Sequence, residues 1–175
     1  MNAVDVRDYN PATDRDAVLA INRTFTTTAT YRVAASDAGF QLVVEQHALP
    51  VVKQFPLDDP DDNPAFVALR QEEIVGFAAF RHQIWNRRTE IWHFYVSAQH
   101  RRQGVGSALM RTLLATSGHA GMRCIWLETS NLAYPAIQFY RSAGFTLCGL
   151  DTTLYDPSQS NEVETALYFA RQVAG

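Results

Sequence analysis

Apolar and polar positions recur with two different periods along this chain, and each change of period marks a new element. The segment NAVDVRDYN has strand character. PATDRDAVLAINRTF follows, with Pro11 and Thr13 near a helix start and Val18, Leu19 and Ile21 on one apolar side. TYRVAASDAGFQLVVEQHAL predicts two strands around an Asp-Ala-Gly turn, ending in a connection through Pro50. FPLDDPDDNPAF, crowded with Asp and Pro, predicts a loop.

From Phe66 the pattern tightens. AFVALRQEEIVGFAAFRHQIW predicts a hairpin turning at Gln71–Glu73, NRR the next turn, and TEIWHFYVS a third strand rich in aromatic and β-branched residues. HRRQGVGSALMRTLLA then changes to a helical period, with Val105, Leu109 and Leu113 on one stripe and Met110 and Leu114 beside it. RCIWLET predicts a strand. YPAIQFYRSAGF predicts a helix with Pro135 in its first turn and Gly144 just past its end. TLCGLDTTLY and VETALYFA predict two closing strands around DPSQSN. The order β-β-β-α-β-α-β-β implies an α/β (α+β) fold, a mixed sheet with helices packed on it.

Composition narrows the function classes. The 175 residues, with 47% hydrophobic and 19% charged, suit one globular domain. A net charge of −3 and a pI near 5.9 argue against a general nucleic-acid binder. Cys124 and Cys148 sit inside apolar runs, which predicts reduced core thiols. The start of the chain lacks a basic-then-apolar signal, and no apolar run approaches the roughly eighteen residues of a membrane span. A soluble, cytoplasmic protein is expected, with no membrane partner. His47, His82, His100 and His119 show no ligand spacing with Cys or acidic residues, so no metal is expected.

The chemistry concentrates where a strand gives way to a helix at Arg101-Arg102-Gln103-Gly104-Val105-Gly106-Ser107. The first turn of a helix leaves backbone N–H groups unpaired and carries the positive end of its dipole. Bare glycines there let an anion approach those donors, and two arginines add charge. A phosphate or pyrophosphate fits; a surface helix with solvated arginines is the plain alternative. A Walker loop is excluded because no lysine follows the glycines. A dinucleotide fingerprint fails at Leu109, although Glu128 imitates its ribose-binding acid.

That loop resembles the Gln/Arg-x-x-Gly-x-Gly/Ala loop of the GNAT superfamily of acetyl-CoA-dependent N-acetyltransferases. The strand ending FYVSAQH before it, IWLET after it and the helix AIQFYRSAGF resemble the same superfamily, over about residues 66–170. The resemblance implies a single GNAT domain over residues 1–175. Its sheet would be mixed and mostly antiparallel with helices on both faces, its coenzyme-binding core would span 66–170, and 1–65 would be an acceptor-side segment. It implies acetyl-CoA as cofactor, with Phe94, Tyr95 and Val96 pairing with pantetheine and Arg101 to Ser107 gripping the pyrophosphate. Many relatives carry asparagine at the position of Ala133. Here Asn131 stands two residues earlier, either serving the pantetheine or acting as a turn residue. A narrower resemblance, to streptothricin acetyltransferases, rests on Leu127, Glu128, Thr129, Phe139, Tyr140, Gly144, Phe145, Asp151, Thr152, Leu154 and Tyr155.

Acetyl transfer to an alkylamine needs a base, because the ammonium form, with a pKa around 10, cannot attack a thioester, and an acid for the leaving sulfur. Tyr140 is the only polar member of the stripe Ala133, Ala136, Ile137, Tyr140, and the superfamily often places its acid tyrosine there. Glu90 is the expected base. Simple strand alternation puts Glu90, Trp92, Phe94 and Val96 on one face and Ile91, His93 and Tyr95 on the other. His93 is chemically better suited but faces away in that scheme; ordered water is a third route. The acidic run Asp58, Asp59, Asp61, Asp62 is read as a solvated loop, with attraction of a cationic amine as its alternative. Glu128 and Asp151 are further substrate-facing candidates.

The expected function is therefore N-acetyl transfer by direct attack of a primary amine. The acceptor is a streptothricin-like antibiotic, a polyamine or amino-acid derivative, or a protein lysine or N-terminus, and a homodimer is among the expected states. Two other classes remain open: a non-catalytic acyl-CoA-binding sensor, which needs no acid or base, and a nucleotide-binding α/β domain.

Overall fold

A computed structural model describes residues 3–54, 60, 63–159 and 163–173. Two compact units emerge: residues 1–25, 54–126 and 172–175 form the first, and 26–53 with 127–171 the second.

The first unit is built on an antiparallel meander. Strand β1 (Asp5–Asp8) pairs with β4 (Ala65–Arg70), β4 with β5 (Glu73–Gln83), and β5 with β6 (Arg88–Val96). The β1–β4 pairing, with Asp5 opposite Leu69, ties the first residues to the segment after 65. Residues 1–25 fall in the first unit and residues 26–53 in the second. Helix α1 (Pro11–Leu19) is capped by Asn10, whose Oδ1 accepts from the Ala12 amide at 3.0 Å. Pro11 is tolerated in the first turn, where its missing N–H costs nothing. Val18 and the following Ile21 bury with Ala65, Val67, Phe77 and Ala79, all on one face of the meander. Helix α2 (Val105–His119) packs on the opposite face. A side chain at Gly76 would meet Val105 Cγ1 at 2.9 Å and Leu109 Cδ1 at 3.0 Å, so that glycine permits the close approach. Further along, Thr89 donates to Ser117 at 2.8 Å, a buried polar pair joining β6 to α2.

The second unit contains a two-stranded sheet of β2 (Phe25–Ser36) and β3 (Gly39–Lys53), turning as expected at Asp37–Gly39, where Gly39 has φ 127°. Pro50 does not end β3, which runs on to Lys53; a strand in a two-stranded sheet has one edge where a missing N–H breaks no ladder. Strand β7 (Cys124–Ser130) enters this unit at Leu127 and leads to α3 (Tyr134–Ser142). Strands β8 (Thr146–Asp151) and β9 (Ala166–Gln172) pair antiparallel. β8 is shorter than TLCGLDTTLY predicts, because the Asp151 carboxylate accepts from both the amide and the hydroxyl of Thr153, turning the chain. Leu127, Ile137, Phe145, Leu167 and Phe169 are among the buried apolar side chains of this unit.

Candidate active site

In the first unit the loop between β6 and α2 has the geometry expected of an anion cradle. Gly104 sits at φ 87°, in the left-handed region that glycine reaches without strain, and nothing occupies the space where its side chain would be. The start of α2 has no side-chain cap, so its first-turn amides receive no internal acceptor from a cap residue. Gly104 O takes the first helical bond, from Ala108 N at 3.0 Å. Arg102, also left-handed at φ 59°, is exposed. Arg101 is half-buried and donates from Nε to Val96 O at 3.1 Å, tying the loop to the end of β6; burial lowers its pKa. Val105 is fully buried against Gly76, which leaves its backbone alone available to a ligand, and Ser107 is exposed.

Sequence reasoning missed three neighbours. Arg70, at the end of β4, donates to the Gln103 side chain, whose amide in turn donates to Gln99 O at 2.8 Å. Together with His100, Arg102 and Gly104 these residues line one surface pocket. His100 Nδ1 is buried and has no hydrogen-bond partner among the described residues. Arg70 lies more than thirty positions before the loop and joins it only through the β4–β5 hairpin, so no local signal reveals it.

On β6 the simple alternation breaks. Ala79 pairs with His93 but Phe80 pairs with Ile91, so Trp92 is an extra residue in the strand, a β-bulge. The register before and after it returns Glu90, opposite Arg81, to the same face as His93 and Tyr95, opposite Ala79 and Phe77. Phe94 and Val96 lie on the other face, with Ile91. The expected grouping of Glu90 with Phe94 and Val96 is thus corrected, and His93 shares the face of Glu90. Glu90 is half-buried and accepts from Gln83 Nε2 at 3.0 Å. His93 stacks against Tyr95 with ring centroids 5.7 Å apart, and Arg81 lies 3.9 Å from the centre of the Trp92 ring.

In the second unit Tyr140 is buried on α3, one helical turn from Ile137, with Phe145 at 5.9 Å between ring centroids. Tyr31 anchors the same helix: its hydroxyl oxygen accepts from Gln138 and from Arg141, both at 2.9 Å, and its ring packs on Tyr134. Asn131 departs from the expected pantetheine contact. It is 3% exposed, its amide donates to Tyr31 O at 2.6 Å and its oxygen accepts from Thr165 N at 2.7 Å. Those bonds stitch β2 and the approach to β9 onto the turn before α3, the turn-residue alternative. Glu128 on β7 accepts from the Tyr155 hydroxyl at 2.7 Å, and burial pushes its carboxyl pKa up. Asp58, Asp59, Asp61 and Asp62 lie outside the described residues.

A glycine-opened, uncapped helix start beside basic side chains, on a meander with helices on both faces, defines a mixed α/β protein. Comparison with known proteins specifies which. Residues 28–145 match the acetyltransferase (GNAT) family. A streptothricin acetyltransferase from Streptomyces lavendulae is 35% identical over 169 residues, covering 90% of this chain and 89% of its own. The crystal structure of a nourseothricin acetyltransferase superposes with a TM-score of 0.90 at 39% identity, covering 98% of this chain and 99% of that one. A Bacillus anthracis protein solved in complex with acetyl coenzyme A shares the fold, with a TM-score of 0.81 at 24% identity over 97% of this chain and 99% of its own.

The chain belongs to the GNAT family of acetyltransferases. It is an N-acetyltransferase with the family's mixed, mostly antiparallel sheet, and acetyl-CoA is its acetyl donor. Among the described residues no helix is long and apolar enough to cross a membrane.

Proposed function

We propose that this enzyme acetylates a primary amine of a streptothricin-like antibiotic, with Tyr140 as the acid and Glu90 as the base. Similarity running through nine-tenths of the chain to a streptothricin acetyltransferase carries the acceptor assignment, because it includes both units and not the coenzyme loop alone.

The residues fit the donor. The uncapped amides at the start of α2 hold the pyrophosphate, with Arg101, Arg102 and Gln103 around it. Gly104 keeps the approach open and Gly106 and Ser107 supply further backbone donors. The backbone of Phe94, Tyr95 and Val96 serves the pantetheine arm. Acetyl-CoA supplies the activated thioester. Glu90 Oε2, already hydrogen-bonded by Gln83, takes the proton from the acceptor's ammonium group so that its lone pair can attack. The Tyr140 hydroxyl gives its proton to the leaving sulfur. Positioning of both reactants on rigid elements provides much of the rate.

The test is a free-thiol release assay with acetyl-CoA and a panel of cationic amines that includes streptothricin, lysine peptides and polyamines. Streptothricin should give the highest kcat/KM. Preference for a peptide lysine would reassign the acceptor. Acetyl-CoA binding with no thiol release from any amine would point to a sensor module.

A further inference from the structure

The second unit contains a group of polar side chains that the chemistry above does not use. Glu164 lies just before β9, its side chain 8% exposed, and one carboxylate oxygen pairs with Lys53. Its other oxygen, Oε1, is shielded from solvent and has no hydrogen-bond partner among the described residues. A bare carboxylate oxygen out of water is costly unless something donates to it. Asn131 N, just past β7, donates to Thr165 O at 3.0 Å, which ties the residue after Glu164 to the end of the strand that carries Glu128; burial, and with it the Glu164 charge, pushes the Glu128 carboxyl up. Tyr155, on the segment after β8, donates to Glu128 Oε1 and is pushed well above its ordinary range by burial and then by the neighbouring Glu128 charge. Among the described residues, two carboxylates therefore lie at this end of the unit, with Lys53 on one of them.

We infer that Glu128 and Glu164, with Tyr155 holding Glu128 in place, form the subsite that receives a primary alkylammonium group of the acceptor. This inference rests on the amine-acetyltransferase reading and goes beyond it by naming the acceptor's recognition residues. An ammonium group carries three donors and one positive charge. It satisfies Glu164 Oε1, offers a second donor to Glu128 and relieves the repulsion between the two acids. A neutral or anionic acceptor does neither. Glu128 and Glu164 are binding residues in this assignment, and Tyr155 is a positioning residue.

The experiment measures streptothricin binding by titration calorimetry to wild-type protein, Glu128→Gln, Glu164→Gln and Tyr155→Phe, each also titrated with acetyl-CoA. Both Gln variants should weaken streptothricin binding at least about tenfold, the scale of a lost charge-assisted contact in a desolvated site, while acetyl-CoA affinity stays within about twofold and reports intact folding. Tyr155→Phe should weaken it less and make streptothricin affinity more dependent on pH, a readout that loss of packing alone would not move. Unchanged streptothricin affinity in both Gln variants overturns the inference, as does a wild-type protein that binds acetyl-CoA but not streptothricin. Tight streptothricin binding with no thiol release leaves the subsite standing and sinks the catalytic proposal instead, so the two failures are separable.

Discussion

The starts of α2 and α3 are opposites, although both follow a strand and neither has a side-chain cap on its first residue. At α2, residues 102–104 are exposed, Arg102 and Gly104 are both left-handed, and no side chain caps the first turn. At α3, Asn131, Leu132 and Ala133 are all buried, and the turn satisfies itself: Ser130 accepts from Leu132 N through its hydroxyl and from Ala133 N through its carbonyl. One start keeps its polar groups available for a ligand. The other uses them up to fix a helix, and that helix carries Tyr140. α1 is the ordinary case beside them, capped by Asn10, with Asp14 accepting from the Asn10 amide and from Arg7. The same backbone problem, unpaired N–H groups, is left open at α2, met by the fold at α3 and by a local side chain at α1.

Four substitutions test that contrast. The largest effect belongs to Tyr140→Phe: it should lower the rate of thiol release about a hundredfold or more while leaving acetyl-CoA affinity unchanged, because only a proton donor is lost. Equal loss in binding and rate would mean that α3 is merely structural. Gly104→Val comes next. A β-branched residue resists φ 87°, so the cradle should distort, raising KM for acetyl-CoA roughly tenfold with a smaller change in kcat. An unaltered KM would remove the loop from the coenzyme site.

Asn131→Ala should do the reverse of the glycine change. It strands the Thr165 amide and the Tyr31 carbonyl, costing about 2 kcal/mol in chemical denaturation and leaving KM for acetyl-CoA within about twofold. A large KM effect with no loss of stability would restore the pantetheine role. The smallest effect is at α1. The Arg7 guanidinium and the Asn10 amide hold the Asp14 carboxyl at about 2, below its ordinary 3.8. A depressed folded-state pKa contributes stability that is present above about 4 and lost as pH falls toward 2. Asp14→Asn should cost about 1–2 kcal/mol at pH 7, discounted for the exposure of Arg7, and flatten the acid side of the stability curve. An identical acid slope in both proteins would show the pair to be inert.

Much of this molecule is written in local pattern. Local pattern places the β4–β5 turn within Gln71–Glu73, the stripe of α2, and Pro135 in the first turn of α3, because side-chain periodicity and turn chemistry act over a few residues. The need for glycine at 104 was equally legible, since a helix start beside two arginines is a local arrangement. What failed were inferences that depend on a partner strand or a distant residue. Alternation along β6 assumes an unbroken ladder, and the extra residue at Trp92 exists only as a mismatch against β5. No property of TEIWHFYVS reveals it.

The deeper division is between chemistry and commitment. By itself the sequence determined which residues can hold an anion, donate a proton or carry a charge, and it placed them in elements of the right kind. Tertiary structure decided which of them are free to act. Asn131 has a side chain suited to a ligand, yet Tyr31 and Thr165, far away in the chain, use it up. Glu164 gains its significance only because folding takes one of its oxygens out of water with no partner among the described residues. A hydrogen-bonding group has its capacity from its own atoms, but whether that capacity is spent depends on neighbours that only the folded chain supplies.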